Sequence, residues 1–191
     1  AALLEREQFL VEQLRDLADA RADFERAVSE LDATSRKRLQ TTFDEIQAAL
    51  QRIFPRLFGG GSARVEWTDP SNPLESGIDV IVRPKGKRPQ PLMTLSGGER
   101  SLAATALLFA MMSVRPSPFF VLDEVDAALD EQNVSRFCDL LREFGQENQI
   151  IVITHRQTTM EAADTLFGVT MERQGASQIL SLRLDDVATV S

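Results

Sequence analysis

The first 54 residues of the chain contain no proline and no glycine, and this stretch limits the fold more than any other feature. A helix over residues 3–53 would be about 75 Å long at 1.5 Å per residue, which is more than a small domain can cover. Apolar residues recur along it in steps of four and three, with Arg21 as the polar exception. These positions are Leu10, Leu14, Leu17, Phe24, Val28 and Leu31. We therefore predict a coiled-coil stalk in preference to an amphipathic helix of a bundle.

The spacing of the apolar positions changes in the second half of this helix. After Leu31, three successive steps are of four residues and end at Phe43. Runs of four locally unwind a coiled coil, so we expect the last turns to leave the partner helix and dock onto a globular body. Pro55 is expected to end the helix. The predicted domains are a coiled-coil stalk and neck helix over 1–54 and a globular part over 55–191.

The remaining sequence alternates between strand and helix patterns. Strands are predicted near 64–67, 78–82, 119–122, 150–153, 165–171 and 177–184, and helices near 99–113, 131–144 and 157–163. The stretch 150–153 is apolar throughout, as in a parallel strand that is covered on both faces. The alternation predicts a layered α/β fold, in which ligands bind at the C-terminal ends of the parallel strands.

Composition narrows the class of protein. At 191 residues the chain has room for one domain with a core, and its 43% hydrophobic and 26% charged residues are typical of globular proteins. No apolar run approaches the roughly 20 residues of a membrane helix, and the early charges argue against a signal peptide. The missing initiator methionine suggests a piece of a longer chain. Cys138 is the one cysteine, which excludes an internal disulfide and a cysteine zinc cluster and fits a reducing cytosol.

The net charge of −8 argues against a protein whose whole surface binds nucleic acid. Any DNA contact must come from a local basic patch. One candidate is the run 36–38 on the long helix. The other is a basic loop that carries Arg83, Lys85, Lys87 and Arg88. For both patches a solvated surface is the simpler alternative.

Two short motifs lie on either side of a predicted helix. Ser96, Gly97 and Gly98 precede it, where free backbone N–H groups and the helix dipole favour an anion and the glycines let a phosphate approach. Asp123 and Glu124 end the apolar strand that follows, 27 residues after Ser96. Asp123 is placed to hold magnesium through water, and Glu124 to polarise an attacking water. Taken singly, a serine cap or a solvated strand end explains each motif; in this order they indicate part of an ATP site.

His155 is the only histidine, and it follows the next strand of the predicted sheet. It is placed to contact a terminal phosphate, although a hydrogen-bonded histidine at a strand end is the simpler alternative. ATP hydrolysis also requires a cradle for the phosphates. The phosphate-loop pattern Gly-x-x-x-x-Gly-Lys-Ser/Thr occurs nowhere in the sequence. We therefore predict that the chain alone hardly binds ATP and has no ATPase activity.

Longer runs around these motifs resemble the ABC-type ATPase heads, and among them the bacterial structural maintenance of chromosomes (SMC) proteins. Residues 95–99 match the ABC signature motif, 119–124 the Walker B strand, 128–130 the D-loop and His155 the switch histidine. The runs that resemble SMC proteins are 57–61, 123–130, 153–156, 159–164 and 168–171. The resemblance implies the C-terminal lobe of an ABC-type P-loop ATPase head, with a RecA-like layered sheet, preceded by a long coiled-coil helix.

The resemblance also implies how the site is completed. An N-terminal half of the head would carry the phosphate loop, and two heads would enclose two ATP molecules with Mg²⁺. Asp123, Glu124 and His155 would serve the ATP of their own head, with Asp123 binding the magnesium. The turn 96–98 and Asp130 would contact the ATP that the second head holds.

The partners implied by the resemblance are a second SMC head, a kleisin subunit and DNA, with no membrane. The kleisin is expected on the outer strands of this half or near the neck of the stalk. ATP-driven head dimerisation would then compact and segregate chromosomes in the bacterial cytoplasm, at the nucleoid.

Two alternatives stay open at this point. One is an SMC-like ATPase of double-strand-break repair or recombination, against which the run 159–164 argues. The other is a coiled-coil docking module without catalysis. The intact Ser96, Asp123, Glu124 and His155 argue against that second alternative.

Overall fold

A computed structural model describes residues 2–115, 117–171 and 177–183 of the chain. These residues form two compact units, one within the ranges Ala1–Asp44 and Trp67–Gly77 and one within Glu45–Glu66 and Ile78–Ser191. None of the described helices is both long enough and apolar enough to cross a membrane. The boundary between a stalk and a globular part at residue 54 stays a prediction.

Helix α1, Ala2–Phe58, confirms the long helix expected from the sequence. Its apolar seam is exposed at every position that the heptad pattern singled out, from Leu10 to Leu31. The side chains that α1 buries are Ala49, Leu50, Ile53, Phe54 and Leu57. Pairing of the exposed seam with a second helix therefore stays a prediction.

The prediction that Pro55 ends α1 is wrong, because the helix continues to Phe58. Pro55 lies in the last turn, and the fully buried Leu57 beyond it gains roughly 1.5–3 kcal/mol from burial, which offsets much of the cost of the proline. The residue after the helix, Gly59, has a left-handed φ of 65°. The Gly60 N–H then donates to the Pro55 carbonyl at 2.9 Å, which is the Schellman helix ending.

The smaller unit joins the first part of α1 to the loop Trp67–Gly77. Phe43 stacks on Trp67 with ring centroids 4.2 Å apart and 20° between the planes. The Thr68 N–H donates to the Gly77 carbonyl at 3.0 Å and closes the loop. The aromatic pair thus fixes one end of the loop against the helix within this unit.

A three-stranded sheet follows α1, with the strand order β1-β2-β3. Its strands are β1, Ser62–Trp67, β2, Ile78–Arg83, and β3, Gln90–Pro91. The first two strands were predicted, whereas β3 lies outside the predicted strands. Two residues are too few to show an alternating pattern. Strands β2 and β3 are antiparallel, with Ile81 opposite Pro91. A short 3-10 helix, Leu92–Thr94, comes next.

The rest of the larger unit alternates helices and strands as expected. The elements are α2, Gly97–Val114, β4, Phe119–Asp123, α3, Glu131–Gly145, β5, Gln149–Ile153, α4, Gln157–Met160, β6, Thr165–Met171, and β7, Ser177–Arg183. Strands β4 and β5 are parallel, and β6 and β7 form an antiparallel pair. Helix α4 ends three residues earlier than predicted, because Ala162 and Ala163 donate to carbonyls three residues back, in turns. Residue 184, the predicted end of β7, lies outside the described residues.

The core of the larger unit contains buried side chains of α2, α3 and the end of α1. Phe109 of α2 meets Phe137 of α3 edge-on, with centroids 5.8 Å apart. The Arg136 guanidinium donates to the Leu57 carbonyl at 3.2 Å. Arg56 forms a two-pronged ion pair with Glu143, whose carboxylate holds the pKa of the guanidinium above its ordinary value. These contacts fasten the last turns of α1 to α3.

Candidate functional site

Three of the predicted site residues lie at one edge of the parallel pair. In the register of β4 and β5, Asp123 is opposite Ile153. Glu124 comes directly after β4, and His155 lies two residues beyond the end of β5. All three side chains are exposed. The structure therefore places the backbone positions of all three residues at the C-terminal edge, where α/β sheets bind ligands.

Glu124 has an unusual backbone conformation. Its φ of 49° makes it the only non-glycine residue with a positive φ in the described part of the chain. Its N–H donates to the Ile153 carbonyl at 2.9 Å, and its own carbonyl accepts from the Ala127 N–H at 3.1 Å. A left-handed residue costs of order 1–3 kcal/mol and is kept where the surroundings impose it, often at functional sites. The sharp turn directs the chain out of the sheet immediately after Asp123.

Asp130 begins α3 and acts as its N-cap. One carboxylate oxygen accepts from the Asn133 N–H at 2.8 Å, and the other accepts from the Asn133 side-chain amide at 2.9 Å. The resemblance had implied for Asp130 only a contact with the ATP that the second head holds. The signal for the cap was an aspartate directly before a helical pattern.

Ser96 is the N-cap of α2, as the simpler interpretation of the motif expects. The Glu99 carboxylate accepts from the Ser96 hydroxyl at 2.8 Å and from its backbone N–H at 3.4 Å. A Cβ added at Gly97 would meet open space, and one at Gly98 would lie 3.4 Å from the Ala128 carbonyl oxygen. The Ser-Gly-Gly turn therefore lies beside the 124–130 loop and presents an open backbone at Gly97.

Lys87 of the basic loop is bound to the same helix start. Its ammonium group lies 2.7 Å from the Glu99 carboxylate. The pKa of Glu99 lies below its ordinary value, mainly because of the Lys87 hydrogen bond and secondly because of the Ser96 hydroxyl. Arg83, Lys85 and Arg88 are exposed. Of the four basic residues assigned to DNA, Lys87 thus has a structural partner that the sequence did not reveal.

The sequence also did not reveal other residues near the site. Asp126 is fully buried, and Arg156 contacts the loop that follows β4. A buried carboxylate cannot be recognised from a run such as 123–130, because acidic residues in such runs are usually exposed. Cys138 is buried in α3, and burial raises the pKa of its thiol.

The donors present fit a magnesium ion that is bound together with ATP. Within the described residues, no three acidic, histidine or cysteine side chains cluster closely enough to hold a metal ion by themselves. Mg²⁺ usually keeps several waters and binds one or two carboxylates together with substrate phosphates. The single exposed carboxylate of Asp123 suits that mode of binding.

The layered α/β arrangement, with its polar strand ends, is the fold of an ABC-type ATPase head. The chain belongs to the RecF/RecN/SMC N terminal domain family, whose model matches residues 2–178. Within that family it corresponds to part of an SMC head with the adjoining helix.

The relatives in sequence are chromosome partition proteins. The chain is 48% identical over 182 residues to chromosome partition protein Smc of Bacillus subtilis, covering 95% of this chain and 15% of that protein. It is 44% identical over 184 residues to the Mycobacterium leprae protein of the same name, covering 96% of this chain and 15% of that protein. The chain thus spans about 15% of the length of these relatives.

Solved structures show the same fold. An Smc head domain with an extended coiled coil, derived from Pyrococcus furiosus and bound to the C-terminal domain of ScpA, matches with a TM-score of 0.76 and 37% identity. The match covers 85% of this chain and 41% of that one. A second structure comes from work on ATP-driven dimerization and DNA stimulated activation of SMC ATPases, and it matches with a TM-score of 0.68 and 39% identity. This match covers 78% of this chain and 91% of the other. The predicted family and fold class are confirmed.

Proposed function

We propose that this chain is the C-terminal half of an SMC ATPase head, and that an N-terminal half with the phosphate loop completes it. The observation that carries the proposal is the convergence of Asp123, Glu124 and His155 at the C-terminal edge of β4 and β5. The relatives are named chromosome partition proteins. We therefore infer a role in chromosome condensation and segregation, in the cytoplasm at the bacterial nucleoid.

Each residue at the edge has a role that suits its chemistry. The Asp123 carboxylate would hold Mg²⁺ through water, and the ion would neutralise charge on the phosphates. The Glu124 carboxylate would accept a proton from, or orient, the attacking water. His155 would donate a hydrogen bond to the terminal phosphate. The exposure of all three side chains leaves them free for this work.

The second head would bind at the Ser-Gly-Gly turn, which lies beside the 124–130 loop. Ser96, Gly97 and Gly98 would contact the ATP that this second head holds, with Asp130 at the same interface. The open space at Gly97 supports a close approach by a phosphate. The Ser96 hydroxyl would then exchange its hydrogen bond with Glu99 for one with the phosphate.

A kleisin subunit and DNA are the further partners that we propose. The related heads were solved with ScpA bound. On this chain the antiparallel pair of β6 and β7 exposes Phe167, Val169 and Ile179, and Val169 is opposite Ile179 in the pairing. An exposed apolar patch of this kind suits a protein partner.

One reconstitution tests the enzymatic proposal. The chain is co-expressed with its N-terminal half, and ATP hydrolysis is measured for the wild type and for Glu124→Gln. We expect ATP hydrolysis only when both halves are present. Glu124→Gln should lower the rate of hydrolysis by about 10²–10⁴-fold. Glu147→Gln changes an exposed glutamate in the turn after α3; this variant is the matched control and should hydrolyse ATP normally. Normal turnover by Glu124→Gln, or robust hydrolysis by the chain alone, would contradict the proposal.

Size-exclusion chromatography with ATP tests the role of the second head. Glu124→Gln should dimerise because it binds ATP without hydrolysing it. Ser96→Arg should stay monomeric because its side chain fills the position of the phosphate. A Ser96→Arg head that still dimerises would remove the role of this turn across the interface.

A further inference from the structure

A buried carboxylate ties the loop after β4 to the end of β5. Asp126 is fully buried, and one of its oxygens accepts from the Thr154 hydroxyl at 2.7 Å and from the Thr159 hydroxyl at 2.5 Å. Its other oxygen, Oδ1, is equally buried and has no hydrogen-bond partner. A buried acceptor without a partner costs about 1–3 kcal/mol. Asp126 thus holds the loop at a cost that an apolar residue would avoid.

Arg156 binds the backbone carbonyls of the same loop. Its guanidinium donates to the carbonyls of Ala127, at 3.2 Å, and of Leu129. It also pairs with the Glu131 carboxylate at 3.1 Å. The Arg156 side chain is only 21% exposed, so these bonds are largely shielded from water. The loop carbonyls are therefore bound by a side chain from beyond the end of β5.

The two residues that make these contacts to the loop lie on either side of His155 in the sequence. Thr154 precedes it and Arg156 follows it, and the Arg156 N–H also donates to the Thr154 hydroxyl at 3.0 Å. The loop that they hold begins at Glu124 and ends at Asp130. The backbone around His155 and the backbone around Glu124 therefore belong to one hydrogen-bonded network.

We propose that Asp126 and Arg156 are positioning residues that fix His155 relative to Glu124. The inference rests on the proposed function, since it requires both groups to act on one ATP molecule. A displacement of about 1 Å between reacting groups can lower the reaction rate roughly 100-fold. Contacts that fix the distance between His155 and Glu124 would therefore affect the rate of hydrolysis. Neither residue needs to touch ATP for this role.

The test uses the complete protein, with both halves of the head, and compares two pairs of variants. Arg156→Ala removes the contacts to the loop carbonyls, and Arg142→Ala, which breaks an exposed ion pair with Asp139 on α3, is its control. Thr154→Val removes, at nearly constant volume, both one donor to Asp126 and the acceptor of the Arg156 N–H, and Thr154→Ser keeps both. The measured quantities are kcat, KM for ATP, ATP-dependent dimerisation and the midpoint of thermal unfolding.

We expect Arg156→Ala and Thr154→Val to lower kcat by about 10- to 100-fold while KM changes by less than about 2-fold. Dimerisation with ATP should persist, and Thr154→Ser and Arg142→Ala should turn over as the wild type does. A purely structural role would lower the unfolding midpoint and leave kcat per folded head unchanged. If Arg156→Ala does not fold, the comparison of kcat per folded head between Thr154→Val and Thr154→Ser decides between the two roles.

A wild-type kcat in both Arg156→Ala and Thr154→Val would overturn the inference. Glu124→Gln in the same preparation separates this failure from failure of the proposed function. If Glu124→Gln is inactive while Arg156→Ala turns over normally, only the positioning role is wrong. If Glu124→Gln itself turns over normally, the proposed function is wrong.

Discussion

At the residue scale, the proposed site residues also stabilise the fold. Ser96 begins α2 through Glu99, and Asp130 begins α3 through Asn133. Loss of a side-chain N-cap hydrogen bond costs about 0.5–2 kcal/mol, so a substitution of Asp130 also weakens the start of α3, and a substitution of Ser96 removes its hydroxyl bond to Glu99. Loss of dimerisation in such a variant must therefore be compared with its thermal stability before it is assigned to nucleotide contact.

Glu99 offers a test of the electrostatics at this helix start. Lys87 is the main cause of the lowered pKa of Glu99, and the Ser96 hydroxyl is the second. In Lys87→Met we expect the pKa of Glu99 to rise toward its ordinary value of 4.5, and in Ser96→Ala to rise by less. Carboxyl NMR titration measures both changes. Lys85→Met, a neighbouring exposed lysine, is the control and should leave the Glu99 pKa where it is.

The sign of the pH dependence follows from the direction of this shift. A carboxyl whose pKa is lower in the folded chain adds stability above its unfolded pKa, and this stability is lost as the pH falls through the folded pKa. The difference in unfolding free energy between the wild type and Lys87→Met should therefore be full near neutral pH and shrink under acid. A difference that grows on acidification, or an unchanged Glu99 pKa in Lys87→Met, would show that the ion pair does not form.

At the element scale, α1 has two kinds of apolar residue along one continuous helix. Leu50 is 1% exposed and Leu17 is 66% exposed. In the chain alone, Leu50→Ala should lower the free energy of unfolding by about 2–5 kcal/mol, because it leaves a cavity in the core. Leu17→Ala should change it by no more than about 0.5 kcal/mol. Urea unfolding of the two variants measures both effects.

The same pair of variants tests the predicted coiled coil. Where a longer protein supplies the partner helix, Leu17 becomes buried in the seam, and Leu17→Ala should then be clearly destabilising. Equal, small effects of Leu17→Ala in the chain alone and in the longer protein would argue against a paired seam.

The sequence predicted the elements that carry a long periodic pattern, and it missed those that depend on tertiary contacts. α1, α2, α3 and the parallel pair β4 and β5 follow from periodicity and from apolar runs. β3 is too short for any pattern, and α1 passes Pro55 because Leu57 is buried. The polar strand ends could be located because they follow apolar runs. The hydrogen-bond partners of Asp126 could not be predicted from the sequence, because Thr159 is 33 residues away and only the fold brings it near.

At the scale of the whole molecule, the net charge and the basic patches have opposite signs. A chain with a net charge of −8 repels DNA at long range, so binding requires a local concentration of lysine and arginine. Lys87 is already paired with Glu99, which leaves Arg83, Lys85 and Arg88 as the basic loop available to phosphates. The alternative patch is the run of three basic residues at 36–38 on α1.

Two triple charge reversals decide between these patches in the completed protein. One variant carries Arg83→Glu, Lys85→Glu and Arg88→Glu, and the other reverses the basic residues 36–38, so both variants lower the net charge by the same amount. We expect the loop variant to bind double-stranded DNA more weakly, with a salt slope of log K that is shallower by about 0.9 for each phosphate that the protein no longer neutralises. The α1 variant should keep the wild-type slope. If only the α1 variant has a shallower slope, DNA binds on the long helix, and if neither slope changes, neither patch binds the phosphates.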